Sequence, residues 1–340
     1  MRRFVAHILI LLSVIWPVYG LSFEGVAEAS LSAVTASSAV LFDASRQQYL
    51  YKRSPDKRRP PASTEKVMTA LVAIDRLSMD QYVRVSARAA ATAPTEIWLR
   101  EGEYYRVRDL LKACLIRSAN DAAVVLAEAT AGTEWEFAIL MNEKAKKLGL
   151  KNTRFRNATG LPNPTDQYTT TRDLTLLLKE ANQNSFVRKT LQTRSATIRS
   201  RDGRSVSFQS RNKMFSYKVP VYGKTGYTLA ARHCFVGEGK ILGKRIVISV
   251  LGSRSLWKDV RALVDYATSK IKNRFGSILS KEQTVKVQGA LKRLGYYSGG
   301  IDGIYGPKTI SAVKAFQKSK KITIDGIAGR QTLAKLEPHL

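Results

Sequence analysis

Ser63-Thr64-Glu65-Lys66 sets a hydroxyl three residues ahead of an amine. Residues three apart on a helix share a face, so Lys66 can reach Ser63 and serve as its base. Pro60-Pro61 breaks the chain just before, and Val67, Leu71 and Ile74 recur behind at helical spacing. Ser63 then falls in a first helical turn, where unpaired backbone N–H groups can hold a developing oxyanion. A capping serine beside a surface lysine has the same spelling, so this motif alone is weak. Ser118-Ala119-Asn120 lies between two helical segments. Its hydroxyl can relay a proton and its amide can hold a peptide backbone, although helix capping accounts for both residues equally well. Lys224-Thr225-Gly226 lies in a β-type run. Lys224 can fix a carboxylate or orient Ser118, Thr225 can bond the same carboxylate, and Gly226 leaves room for a substrate along the strand. Strict alternation would put Lys224 and Thr225 on opposite faces. Both reach one cleft only through strand twist or an edge position, and an edge strand with a protective lysine is the plain alternative.

The three motifs together carry more than any one. They occur in the order helix start, helix junction, strand. They also answer a physical problem, because Lys66 must be neutral to accept a proton. A second lysine in the same cleft, Lys224, would repel that proton, and burial would act in the same direction.

The elements that must position these residues are legible at low resolution. Ala39–Asp43 and Gln48–Tyr51 read as a hairpin around Ala44-Ser45-Arg46. Helical patterns follow near 106–117, 120–131, 134–148 and 172–182. Val219–Tyr227, Cys234–Gly237 and Arg245–Leu251 return to strand, and Trp257–Ile271 reads as a last helix. Strands at both ends with helices between predict one sheet built from distant parts of the chain. After a polar linker at 273–282, three helices are expected around Val287/Leu291/Leu294, Ile310/Val313/Phe316 and Leu333/Leu336. They are tied by two matched turns, Asp302-Gly303-Ile304-Tyr305-Gly306 and Asp325-Gly326-Ile327-Ala328-Gly329.

Composition narrows the setting. A chain of 340 residues suggests two domains, and 44% hydrophobic with 24% charged residues is ordinary for a folded protein. Lys+Arg 56 against Asp+Glu 27 leaves +29, a surface drawn to polyanions. Arg2 and Arg3 precede an apolar run from Phe4 to Val18, and Val18-Tyr19-Gly20 offers small residues for cleavage, so residues 1–20 read as a secretory signal. An uncleaved anchor helix is the alternative. Export argues against nucleic acid as the partner and leaves anionic envelope polymers, with the protein in the periplasm, cell wall or extracellular space. Cys114 and Cys234 form either one disulfide or two buried thiols. His7, His233 and His339 are too scattered for a metal site.

Residues 36–255 resemble the D-alanyl-D-alanine carboxypeptidases, the low-molecular-mass penicillin-binding proteins. The resemblance runs through Pro60–Ala70, Arg117–Ala123, Met141–Leu150, Asn157–Leu161, Tyr168–Leu174 and Gly223–Thr228. It implies an α/β (α+β) transpeptidase- or β-lactamase-like fold, with an antiparallel sheet and an all-helical subregion. It implies hydrolysis of the terminal D-Ala of peptidoglycan stem peptides with no cofactor. Ser63 would attack, Lys66 would take its proton, and Ser118, oriented by Lys224, would protonate the leaving D-Ala. Asn120 would hold the peptide, Lys224 and Thr225 the terminal carboxylate, Gly226 would line the strand, and the N–H groups of Ser63 and Tyr227 would form the oxyanion hole. β-Lactams would acylate Ser63. The family usually has a glycine where this chain runs Ala230-Ala231-Arg232-His233-Cys234. In place of the family's usual C-terminal β-domain and membrane anchor, residues 281–337 resemble a three-helix peptidoglycan-binding domain, with Tyr296, Tyr297 and Tyr305 facing sugar or packing the core. The expected organisation is signal 1–20, catalytic domain 21–272, linker 273–282 and wall-binding domain 283–338.

Three other readings compete. A class A β-lactamase needs a deacylating glutamate, and Asn152–Arg172 has none. A D,D-endopeptidase uses the same machinery on cross-links. A catalytically silent wall-binding protein would have no use for the full set of side chains. Oligomeric state is not readable.

Overall fold

The structure is a computed structural model and describes residues 34–162, 166–276 and 279–340. The expected signal at 1–20 lies outside the described residues. Five antiparallel strands form the main sheet, in the order Gln48–Arg53, Ser38–Asp43, Lys244–Ser253, Arg232–Ile241, Val221–Thr228. The first hairpin therefore joins strands some two hundred residues later, with Leu41 opposite both Tyr51 and Ile248. Ser38–Asp43 is buried along its whole length because it lies between two other strands and is covered on both faces. Val221–Thr228 is an edge strand, and this position is what frees it to line a cleft.

Helices cover the sheet. Thr171–Ala181 packs on the Lys244–Ser253 strand, where the Thr175 and Ser249 hydroxyls bond at 2.8 Å in the interior. Leu256–Gly276 packs on Arg232–Ile241, with Trp257 edge-on to Phe235 at 5.8 Å. The expected helix at the serine motif begins as a 3-10 turn, Ala62–Glu65, and continues as the α-helix Lys66–Arg76. Val67, Met68, Ala70, Leu71, Val72 and Ala73 are all buried. This is more than one face, because the helix is enclosed by its neighbours Asn120–Ala131, Glu134–Lys147 and Thr171–Ala181. Each large apolar side chain so enclosed contributes about 1.5–3 kcal/mol.

The region expected as one helix near 106–117 changes character midway. Val107–Lys112 is α-helical, and Ala113–Arg117 is a π-turn ending at Ser118 in the left-handed region, φ +72. The hairpin Ser195–Arg199/Ser205–Gln209 and the pair Tyr82–Arg84/Tyr104–Arg106 were not anticipated. Both are short and rich in Ser, Arg and Tyr, with little apolar alternation to betray them.

Arg232 stands at φ +55, exposed, next to an irregularity in strand register between His233 and Phe235. This is the stretch where the family's glycine was missed, and its backbone is one that favours glycine. Arg232→Gly is expected to stabilise the protein by about 0.5–1 kcal/mol, since relief of the left-handed strain exceeds the entropy cost of glycine. Thermal unfolding reads the result as a Tm higher by ~2 °C, and a lower Tm would show that the arginine side chain itself anchors the turn.

The linker expected at 273–282 is shorter in the structure. Helix continues through Gly276, and the next helix, Lys281–Arg293, opens behind a Ser280/Gln283 capping box. Two buried glutamines organise the small helical unit. Gln288 Nε2 donates to Asp302 Oδ1 at 2.8 Å and to Thr309 Oγ1 at 3.0 Å, and its Oε1 accepts from Gly303 N at 2.9 Å. Gln317 repeats this with Asp325, Thr332 and Gly326 at 2.8, 3.0 and 2.8 Å. Gly303 and Gly326 take φ +70 and +76, so each Asp-Gly turn needs its glycine. Tyr297 and Tyr305 are core residues here. Tyr296 is half-buried, edge-on to Phe316, at the rim of a groove.

Candidate active site

The three motifs converge. Lys66 Nζ donates to Ser63 Oγ at 2.9 Å, to Asn120 Oδ1 at 2.6 Å and to the Thr159 carbonyl at 2.5 Å. Lys224 Nζ donates to Ser118 Oγ at 2.8 Å and to the Thr225 carbonyl at 2.7 Å. Each serine thus has its own lysine. Both lysines are buried, at 0% and 1% exposure.

Burial drives the Lys66 ammonium down to about 8, against opposing pulls from Cys114, Glu65, Glu134 and Asp121. Lys224 is also driven well below the usual lysine range, by burial first and by repulsion from Lys66 second. The expected repulsion therefore falls on Lys224, and desolvation is the main cause of the Lys66 shift. Cys114 lies between these influences, its thiol pushed up to about 11 by burial. Cys114 and Cys234 are separate buried thiols, which selects the second of the two alternatives.

Backbone shape presents the hydroxyls. Ala62 at φ +45 precedes Ser63, and Ser118 itself is left-handed, two strained positions beside the reacting groups. The Asn157–Leu161 loop closes the back of the site. Asn157 Oδ1 accepts from Thr159 N, Thr159 Oγ1 and Gly160 N at 3.0, 3.0 and 2.8 Å, which aims the Thr159 carbonyl at Lys66 and Ser63.

Gly226, on the cleft lining, also has a role beyond the expected one. A Cβ there would come within 2.9 Å of Ser63 N and 3.1 Å of Thr64 N. The glycine lets the edge strand approach the serine turn itself. Asn120, expected to face substrate, is 2% exposed. Its amide is committed to Lys66 and, through Nδ2, to the Pro94 carbonyl, so it serves the lysine. Thr225 and Lys224 divide as the alternation demands, with Thr225 on the cleft and Lys224 beneath it.

Ser63, Ser118, Thr225, Gly226 and Tyr227 line one cleft of about 930 Å³. Arg211, Lys213, Lys258 and Arg261 line it too, and no acidic residue is among its lining. Arg211 follows Ser210 at the end of the unanticipated hairpin, beside Asn212, which bonds the Val221 carbonyl of the edge strand at 2.8 Å. Sequence reasoning missed Arg211, Arg261, Thr159 and Asn157. The last two were within quoted motif stretches but had no chemistry of their own to flag them. Among the described residues no group of His, Cys, Asp and Glu could hold a metal ion.

A serine with a buried lysine base, a second serine–lysine pair and an edge strand against the serine turn define the penicillin-binding, transpeptidase-like class. The comparisons place the chain within it. A family model for D-alanyl-D-alanine carboxypeptidase matches residues 25–255, and one for a peptidoglycan binding domain matches residues 280–336. A Bacillus subtilis D-alanyl-D-alanine carboxypeptidase is 32% identical, covering 74% of this chain and 66% of the relative. A D-alanyl-D-alanine endopeptidase of Escherichia coli is 33% identical over 66% of this chain and 73% of its own. The Streptomyces K15 DD-transpeptidase superposes with a TM-score of 0.65 at 28% identity, over 69% of this chain and 98% of that one. The chain belongs to the D-alanyl-D-alanine carboxypeptidase family.

Proposed function

We propose that the protein is a serine-type D-Ala-D-Ala carboxypeptidase that trims peptidoglycan stem peptides and is held to the wall by its C-terminal unit. The observation that carries this reading is the Lys66–Ser63 bond at 2.9 Å, at the floor of a cationic cleft that also holds the Lys224–Ser118 pair. Neutral Lys66 takes the Ser63 proton as Oγ attacks the carbonyl of the penultimate D-Ala. The N–H groups of Ser63 and Tyr227 receive the oxyanion. Ser118, backed by Lys224, returns a proton to the departing D-Ala nitrogen, and water then cleaves the ester. Thr225 and Arg211, with Arg261 nearby on the cleft wall, meet the terminal carboxylate. Lys224 supports them from below and is drawn to its charged form when that carboxylate arrives.

We assign the chain from 21 through the helix ending at Gly276 to catalysis and residues 281–338 to wall binding, with the linker confined between those two helices and 1–20 as the export signal. The +29 charge suits an anionic envelope. The relative named an endopeptidase keeps cleavage of cross-links as a second reading. Release of D-Ala from a defined pentapeptide, measured beside cleavage of a cross-linked dimer, separates the two. Carboxypeptidase action is expected to dominate. Faster cleavage of the dimer would assign the endopeptidase activity, and inertness toward both would leave a wall-binding protein.

A further inference from the structure

Trp98 is 67% exposed, and its backbone stands at φ +55, a conformation that penalises any residue with a Cβ. The loop that carries it is firmly held. The N–H groups of Ile97 and Leu99 donate to Asp121 Oδ2 at 3.0 and 3.1 Å, and the Trp98 carbonyl accepts from Arg204 Nη2 at 2.8 Å. Ile97 and Leu99 are buried on either side, so the indole alone turns outward. The same loop reaches the active site. Pro94 and Thr95 line the cleft, and their carbonyls accept hydrogen bonds from Asn120. Asp121 and Asn120 are consecutive, so one point in the chain fixes both the Trp98 turn and the partner of Lys66.

Neither the strain nor the exposed aromatic area helps folding, and their coincidence on a rigid loop beside a cleft points to a ligand. Three residues of chain put Trp98 within about 11 Å of Thr95. Thr95 shares the cleft lining with Ser63, and the four residues of a pentapeptide behind its scissile bond extend up to ~14 Å, enough to carry the attached sugar past Thr95 to this loop. We propose that Trp98 is a stacking platform for a pyranose ring of the glycan to which the stem peptide is attached. The C–H face of the sugar lies on the indole, and the apolar surface left open in the free protein is covered in the complex. This rests on the carboxypeptidase reading and adds a glycan subsite to it.

The test compares a disaccharide-pentapeptide with the same pentapeptide lacking sugar, on the full-length protein. Trp98→Ala is expected to lower kcat/KM for the sugar-bearing substrate about tenfold, while the bare peptide and acylation by benzylpenicillin change less than about twofold. Trp98→Phe keeps most of the preference. Equal loss on both substrates, or loss on neither, overturns the subsite. A second readout does not need turnover. Binding of the disaccharide-pentapeptide to Ser63→Ala is expected to change indole fluorescence more than binding of the bare pentapeptide does, since Trp257 on the cleft wall responds to both, and this excess disappears when Trp98→Phe is added. An excess that survives the added change also overturns the subsite. If the wild type cleaves neither substrate, the carboxypeptidase reading fails while this binding result still decides the subsite.

Discussion

Replacing Lys66 with methionine is expected to slow acylation of Ser63 by about 10³–10⁴-fold, the upper range for loss of a positioned general base. Methionine keeps the length and volume of the side chain in a fully buried position, so the core around Met68 and Leu71 is little disturbed. What it removes is the one group, among the described residues, bonded to Ser63 Oγ that can accept its proton. It also strands the Asn120 Oδ1 acceptor and leaves the Thr159 carbonyl only its longer bond from Ser63 Oγ, so a moderate fall in Tm accompanies the kinetic loss. The pH profile distinguishes base from scaffold. Lys66 is lowered to about 8, chiefly by burial. Only the neutral amine accepts a proton, so wild-type acylation rises about tenfold per pH unit below that value and levels above it. The Lys66→Met variant is expected to lose this slope. Stopped-flow acylation by a chromogenic β-lactam across pH 5–10 reads both effects, and an unchanged slope in the variant would assign it to another group.

Gly160→Ala is expected to be among the most damaging glycine-to-alanine changes of the described residues, and unlike Gly223, whose added Cβ would lie 2.0 Å from the Val236 carbonyl oxygen, it adds a left-handed backbone to the clash. Gly160 has φ +78, and an added Cβ would lie 2.1 Å from the Ala62 carbonyl oxygen and 2.9 Å from Ser63 N. These are backbone atoms and cannot rotate away. Left-handed strain and overpacking together cost about 3 kcal/mol or more. The displaced segment carries Ser63 on one side and the Thr159 carbonyl on the other, so acylation and stability fall together. Thermal unfolding and acylation rates measured on the same sample check this. A stable variant with normal acylation would show that the Asn157–Leu161 loop can move without cost to the serine.

How much of this could be read from residues alone differs by part. Ser63 with Lys66 was legible because helical spacing brings residues three apart together. Ser118 and Lys224 were legible through the order of the motifs. The sheet's first hairpin and the helices at Asn120–Ala131 and Glu134–Lys147 announced themselves by residue pattern. The partners of Asn120 and Lys66 were not legible, because the Pro94 and Thr159 carbonyls are backbone atoms whose usefulness depends on loops meeting in space. Arg211 was one arginine among many in a polar hairpin until the fold set it on the cleft. The close approach that Gly226 permits was not legible because the neighbour is the protein's own serine turn.

Intact mass after brief incubation with benzylpenicillin, beside Ser63→Ala, tests the central claim most directly. The account predicts an adduct of one penicillin on the wild type and none on the variant. An equal adduct on both would place the nucleophile elsewhere, and no adduct with the drug left intact would contradict acyl-enzyme chemistry at Ser63.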